Sequence, residues 1–505
     1  MIPSFDLLGR GYAPDAAGRN GLHVDELRDS AVGPVADVGR RISSLRIAPE
    51  FAIAAAVAAL AVYRLWDALL QSPIVWSDSQ SYEAVGSHSV TSTALWAGQR
   101  PPLVPIVWHV ARTPTTFVVF QTVFSLLCWS LLAATVATTF RSPWRRVVAA
   151  FVVLGFATVS PVVLWDASVL SESISMSLLA LLLATFIGFA RSPVWSRAAA
   201  VVGSALAFAL TRDAQVFTVA LLGLATAVFF LVRHLRRRPV ALPVGILALA
   251  LLVGAVLSAW GSVASGRTEQ NVGDALYVRV FPYPDRVAWF ARHGMPQARA
   301  IDELARAQPQ PAPGTVAVVG IDRNDPRFAA WESWLHRRGE PTYELWLLTH
   351  PGYVVLEPLR RPERAFNFAA GNLDAYAALD RVDSPLTGFL WPSWRWLVVL
   401  AAFGCTAPLV AQRIGRREVR VLALFAVVGL ASMLLAWHGD GQETTRHTVE
   451  GLAEVHLTVL LTVVLLVLGE GPAFVARAMR ARHGADETGA DPGEEMEPRR
   501  AGSPV

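Results

Sequence analysis

Apolar runs of about 20 residues recur along this 505-residue chain, and that is the length a helix needs to cross the hydrocarbon layer of a bilayer. They lie near 50–70, 115–140, 147–164, 173–190, 195–210, 214–232, 240–260, 394–411, 419–437 and 449–469. Ten crossings follow, and with them an all-α polytopic membrane protein. With 53% hydrophobic residues and a mean hydropathy of +0.41, the chain is more apolar than a soluble core requires.

All 44 basic residues are arginine, and their placement sets an orientation. Arg141, Arg145 and Arg146; Arg191 and Arg197; Arg233 with Arg236 to Arg238; Arg413, Arg416, Arg417 and Arg420; and Arg477, Arg480 and Arg482 fill alternate short connections. The positive-inside rule assigns those loops to the cytoplasm. The opposite short connections hold at most one arginine each, Arg212 and Arg446. Both termini are therefore expected in the cytoplasm, with the chain in the plasma (inner) membrane. The polar segment 1–48 lacks an apolar h-region, so a cleaved signal peptide is not expected. The acidic tail within 470–505 reads as disordered. A net charge of +4 is too small to argue for a nucleic-acid partner.

Two longer segments fall on the outer face. The loop 71–116 follows the first crossing within the membrane block 49–260; it holds WSDSQSYEAVG and GQRPPLVP, whose proline pair breaks any helix. Short interfacial helices are expected there. The segment 261–393 precedes the last three crossings (394–469) and is long enough for a mainly helical extracytoplasmic domain, with amphipathic stretches at 285–307 and 326–338. Trp289, Trp331, Trp334 and Trp346 are candidates for its core, whereas Trp391, Trp394 and Trp396 sit where an interfacial aromatic belt belongs.

Ionisable groups at the ends of crossings are costly to keep there, which makes each a functional candidate. Asp78 and Glu83 follow the first crossing, Asp166 and Glu172 flank the next outer turn, and Arg212 with Asp213 form another. Asp440, Glu443, Arg446 and His447 occupy the last outer turn, with Glu450 and Glu454 opening the final helix. Outer loops must be polar somewhere, yet a turn as short as 211–213 would more simply carry serine or glycine. Arg64 and Asp67, three apart on the first crossing, share a helix face and read as an intrahelical pair. No Walker loop, H-E-x-x-H, C-x-x-C or G-x-S-x-G is present, so ATP-driven transport, zinc proteolysis and serine hydrolysis lack their local signatures. Cys128 and Cys405 lie in apolar runs and suggest no disulfide framework; His88, His109, His438 and His447 lack metal-ligand spacing.

At this point the pattern resembles the GT-C superfamily of membrane glycosyltransferases, which includes protein O-mannosyltransferases, aminoarabinose transferases of lipid A and arabinosyltransferases. The order acidic residue, tyrosine, proline pair in the first outer loop is matched by Asp78, Tyr82, Pro101 and Pro102. A second acidic position is matched by Asp166, followed by a helix opening at Ser171, Glu172 and Ser173, and a long outer segment after the seventh crossing is shared. Two departures stand out: Asp78 is followed by serine rather than a second acid, and Gln99 and Arg100 stand where a histidine often precedes the prolines.

The resemblance implies an inverting transfer of sugar from a polyprenyl-phosphate donor, which stays in the membrane lipid, to an extracytoplasmic glycan, lipid or protein acceptor. Asp78 would be the catalytic base, with Asp166 beside it. Arg212, Arg446 and Arg100 would hold the donor phosphate through charge-assisted hydrogen bonds. Glu83, Glu172, Tyr82 and His447 would serve the acceptor or act as auxiliaries. A divalent cation (Mg or Mn) on Asp78 and Asp166 is a further expectation to test. Two rival readings remain: a multi-pass transporter or lipid flippase using the same charges as a path, and a noncatalytic GT-C-like membrane protein.

Overall fold

A computed structural model describes residues 48–70, 72–296, 326–366, 384–393, 417–439 and 444–468, with isolated positions between 395 and 406. The expectations placed on the N-terminal tail, most of the crossing at 394–411, residues 297–325, Trp394, Cys405, Asp440, Glu443 and the acidic tail lie outside the described residues, as does the side chain of Asp67.

Every regular element among the described residues is helical. Seven helices are long and apolar enough to cross a membrane: α1 Pro49–Leu70, α4 Pro114–Ala137, α6 Glu172–Arg191, α8 Asp213–Leu235, α9 Leu242–Ala264, α16 Arg417–Gly439 and α17 Thr444–Val467. Two expected crossings are shorter. Helix α5, Pro143–Phe156, has 14 residues and α7, Trp195–Ala209, has 15. At about 1.5 Å per residue neither matches a hydrocarbon layer roughly 30 Å thick. The apolar run 147–164 is broken after Phe156 by the turn leading to Pro161, which starts a separate single-turn helix, Ser160–Val163. Apolar character alone does not keep a helix going past a proline that supplies no N–H.

The first expected loop contains α2 Ser77–Gly86, the short helix Thr93–Trp96 and α3 Leu103–Ala111. After α9 come α10 Arg267–Arg279, α11 Pro284–Arg292, α12 Ala329–Trp334, α13 Glu340–Thr349, α14 Pro351–Arg360 and α15 Pro362–Phe366. The described residues from Ala52 on belong to one compact unit with two apolar cores. The larger is built by the long helices; the smaller packs Trp331, Trp334, Trp346, Phe290, Tyr343 and Tyr277, with Trp289 against them. Trp391 departs from the expected aromatic belt. It is buried in the larger core, stacked 5.8 Å from Phe156 and 4.5 Å from His456 between ring centroids. Trp396 is 61% exposed.

Helices α16 and α17 make the most intimate pair, because two glycines bring their backbones together. A Cβ on Gly451 would sit 2.9 Å from the Gly429 carbonyl oxygen, and one on Gly429 would sit 2.9 Å from Cγ of Glu454. Backbone cannot yield as a flexible side chain can. Gly451→Ala is therefore expected to cost about 1–3 kcal/mol and to lower the thermal unfolding midpoint in detergent; an unchanged midpoint would show that the helices do not meet at this position.

Candidate functional site at the N-terminal ends of α6, α8 and α17

The segment leading into α2 is tied to the turn before α6. Ile74 N–H donates to the Ala167 carbonyl at 2.9 Å, and Val169 N–H donates to the Ile74 carbonyl at 3.0 Å. Ser79 Oγ closes the N-terminus of α2, accepting from Trp76 N–H at 2.9 Å and donating to the Val169 carbonyl at 2.7 Å. These bonds fix Asp78 in the first turn of α2, where the helix dipole favours a carboxylate. The proline pair brings in Arg100: Leu103 N–H donates to the Leu210 carbonyl at 3.0 Å, docking this segment against the turn that holds Arg212.

Five separated regions then deliver charge to one place. Arg100 Nη2 donates to Asp78 Oδ1 at 2.5 Å and its Nε to Ser81 Oγ at 2.6 Å. Arg446 Nη1 donates to Asp78 Oδ2 at 2.7 Å, while its Nε donates to Glu172 Oε1. Arg212 Nη1 lies 3.1 Å from the same Glu172 oxygen and donates to Glu450 Oε1. Its Nη2 lies 2.7 Å from His447 Nδ1, which must accept because a guanidinium only donates. Among the described residues, three guanidiniums thus interlock with three carboxylates. The inner part is sealed, with Glu172, Glu450 and Arg446 at 3% exposure or less. The edge is open: the side chains of Asp78 and Arg100 are 21% and 29% exposed.

Tyr82 lies one turn after Asp78, buried, with the Arg100 guanidinium carbon 5.2 Å from its ring centroid. Burial raises its phenol, against the pull of Arg100 and Arg446, so it stays neutral. For Asp78, burial works to raise the carboxyl, but the charges of Arg446 and Arg100 and their hydrogen bonds outweigh it. The net effect is a carboxylate held below its usual range, ionised throughout neutral pH. The stability it brings is present above the ordinary carboxylate pKa and is lost only as pH falls through the lowered value.

Of the residues singled out in the sequence, Asp78, Tyr82, Arg100, Glu172, Arg212, Arg446 and His447 come together here. Glu83 is exposed, one position off the face shared by Asp78 and Tyr82. Asp166 does not join the group. It is fully buried and bidentate to Arg64, with Nε–Oδ2 2.6 Å and Nη2–Oδ1 2.7 Å, and it accepts from Ser173 Oγ at 2.7 Å. Gln121 of α4 braces the same turn through the Asp166 carbonyl at 2.7 Å. Arg64 is thus engaged with Asp166, which ties α1 to the turn before α6 instead of facing the open edge. Asp213 also parts from its neighbour: it pairs with Arg267 at 3.0 Å, and Arg267 Nη1 donates to the Gly98 carbonyl at 2.6 Å. Glu450 is central, and the signal for it was its spacing of four from Arg446, which puts both on one face of α17.

A divalent cation does not fit. Both oxygens of Asp78 already accept from guanidiniums, two positive groups flank it, and Asp166 is committed to Arg64. Among the described residues no group of three or more His, Cys, Asp or Glu side chains is arranged to hold a metal. Neither a protein-family model nor a curated protein matches the chain.

Proposed function

We propose that this membrane protein is an inverting glycosyltransferase that moves a sugar from a polyprenyl-phosphate donor to an extracytoplasmic acceptor, a glycan, lipid or protein of the cell envelope. One observation carries the reading. An ionised carboxylate, Asp78, stands at the open edge of a cluster whose interior is lined with guanidiniums. Transfer needs those two functions side by side.

In the proposed reaction an acceptor hydroxyl attacks the anomeric carbon from the face opposite the phosphate. The new C–O bond forms as the bond to the phosphate oxygen breaks, and its electron pair passes to that oxygen. The hydroxyl proton goes to Asp78. Negative charge growing on the phosphate is met by Arg446, Arg212 and Arg100, which are already in position and need little reorganisation. A carboxylate held low by two arginines is a weak base. Donor phosphate that draws those guanidiniums away raises its basicity, so donor binding readies Asp78 for the acceptor. The amphiphilic donor also accounts for a site built from the ends of membrane-length helices.

A second reading keeps one observation on its side. Glu454, on α17, is 2% exposed with no charged partner among the described residues, as intramembrane carboxyls of transporters are. Reconstituted vesicles given a polyprenyl-phosphate sugar labelled in the sugar separate the two. Loss of label from the lipid with release of polyprenyl phosphate supports transfer; intact lipid moved between leaflets supports a flippase.

A further inference from the structure

The cluster is electroneutral before any ligand arrives. Among the described residues, Arg100, Arg212 and Arg446 are balanced by Asp78, Glu172 and Glu450. A phosphate seated there adds negative charge to a place that is largely closed to water, where an unbalanced charge is expensive. Either a carboxylate leaves, or a carboxylate or the His447 imidazole takes a proton; drawing Arg212 away from neutral His447 strands no charge, whereas drawing it away from a carboxylate does.

Geometry says which. Among the described residues Asp78 and Glu172 each meet two guanidiniums, so either keeps one when the other turns to phosphate, whereas Glu450 meets only that of Arg212, through Oε1. Its Oε2 is buried with no hydrogen-bond partner among the described residues. Once a phosphate oxygen takes Arg212 Nη1, Glu450 loses the one counter-charge it has among the described residues. One turn further along the same helix face, Glu454 is also buried with an unsatisfied oxygen and offers no positive charge in compensation. The groups facing Glu450 are Arg212 at the start of α8 and Glu172 on α6, with Arg446, His447 and Glu454 on its own helix. Helix α16 brings His438 to this end, and α5 carries Arg145 and Arg146 in its first turn at the far end. The side chains of Glu363 and Arg364 in α15 lie outside the described residues.

We infer that seating an anionic phosphate on Arg212 is coupled to the uptake of one solvent proton by Glu450. The inference rests on the phosphate-binding reading above and adds to it a linkage: the ligand binds as an anion together with a proton. The consequence is a pH dependence of affinity with a definite sign. Proton uptake weakens binding as pH rises, by up to about tenfold in Kd per unit where one full proton is taken.

Calorimetry on the purified full-length protein tests this, with farnesyl methyl phosphate as probe. This phosphodiester has a fixed single charge above acidic pH, so any proton exchanged belongs to the protein. Titrations at one pH in buffers of different ionisation enthalpy should give a slope of about one proton taken up per ligand bound, and the Kd should rise with pH. Glu450→Gln should bind the same probe with no proton exchange and a flat pH profile. Binding by the natural sequence with zero proton exchange would overturn the coupling while leaving phosphate recognition intact. Uptake that persists in Glu450→Gln would overturn its assignment to this residue. No binding of the probe at all, with Arg212→Ala indistinguishable from the natural sequence, would overturn both the coupling and the reading beneath it. The measurement on the natural sequence stands alone if the variant does not fold.

Discussion

Asp78→Asn protein is expected to insert and fold normally and to lose sugar transfer by about 10²–10⁴-fold, the range for removal of a positioned general base. The substitution keeps the shape and hydrogen-bonding reach of the side chain but not its charge. Arg100, whose side chain is 29% exposed, can turn to water when its partner is neutralised, so the fold loses little. Removing one negative charge also leaves the guanidiniums in excess. Affinity for a lipid phosphate should therefore stay level or rise while turnover collapses, a split that a merely structural role would not produce. Because Arg446 and Arg100 hold Asp78 below the usual carboxylate range, kcat/KM of the natural sequence should show no acid limb from this residue between about pH 5 and pH 8. Near-normal turnover in the Asn variant would remove Asp78 from the base role.

Arg446→Ala is expected to be the most damaging single change to stability. This arginine joins the exposed half of the cluster to the sealed half, contacting Asp78 with Nη1 and Glu172 with Nε. Its loss leaves Glu172, 0% exposed, sharing Arg212 with Glu450. Breaking a buried pair from one side costs about 3–5 kcal/mol, because a desolvated charge is left behind. The unfolding midpoint in detergent should fall accordingly, and donor engagement should weaken more than acceptor engagement. Adding Glu172→Gln to Arg446→Ala should restore part of the stability, since it removes the stranded charge, but none of the donor binding. A single variant as stable as the natural protein would mean that Glu172 is not held by Arg446.

The sequence made the helical membrane character plain, because length and apolarity are local properties that one window of residues displays. It made part of the site plain for the same reason. Asp78 with Tyr82, and Arg446 with Glu450, are four apart and each pair lies on one helix face. What was not legible depends on contacts between distant segments. Arg64 had an equally good partner three residues away in Asp67, and nothing local announces Asp166, 102 residues on. Arg212 and Asp213 are neighbours in the chain, yet Arg212 is the extended residue before α8 and Asp213 its first helical residue. Their side chains diverge, one to Glu450 and the other to Arg267. Helix length was the other feature the sequence left open. The runs around α5 and α7 are apolar enough to suggest crossings, but α5 stops before a proline turn that hydropathy does not register. Trp391 shows the same limit, since its place in the core depends on rings supplied by α5 and α17.

The most direct test is a single-turnover assay. Purified protein in lipid vesicles is given a panel of polyprenyl-phosphate sugars, pentoses and hexoses, with a crude cell-envelope acceptor fraction, and free polyprenyl phosphate is measured. At least one donor should be cleaved by the natural sequence, with its sugar appearing on acceptor, and none by Asp78→Asn. Tight binding of these lipids with every donor recovered intact would contradict the account, because guanidiniums and carboxylate would then share a pocket without performing the reaction assigned to them.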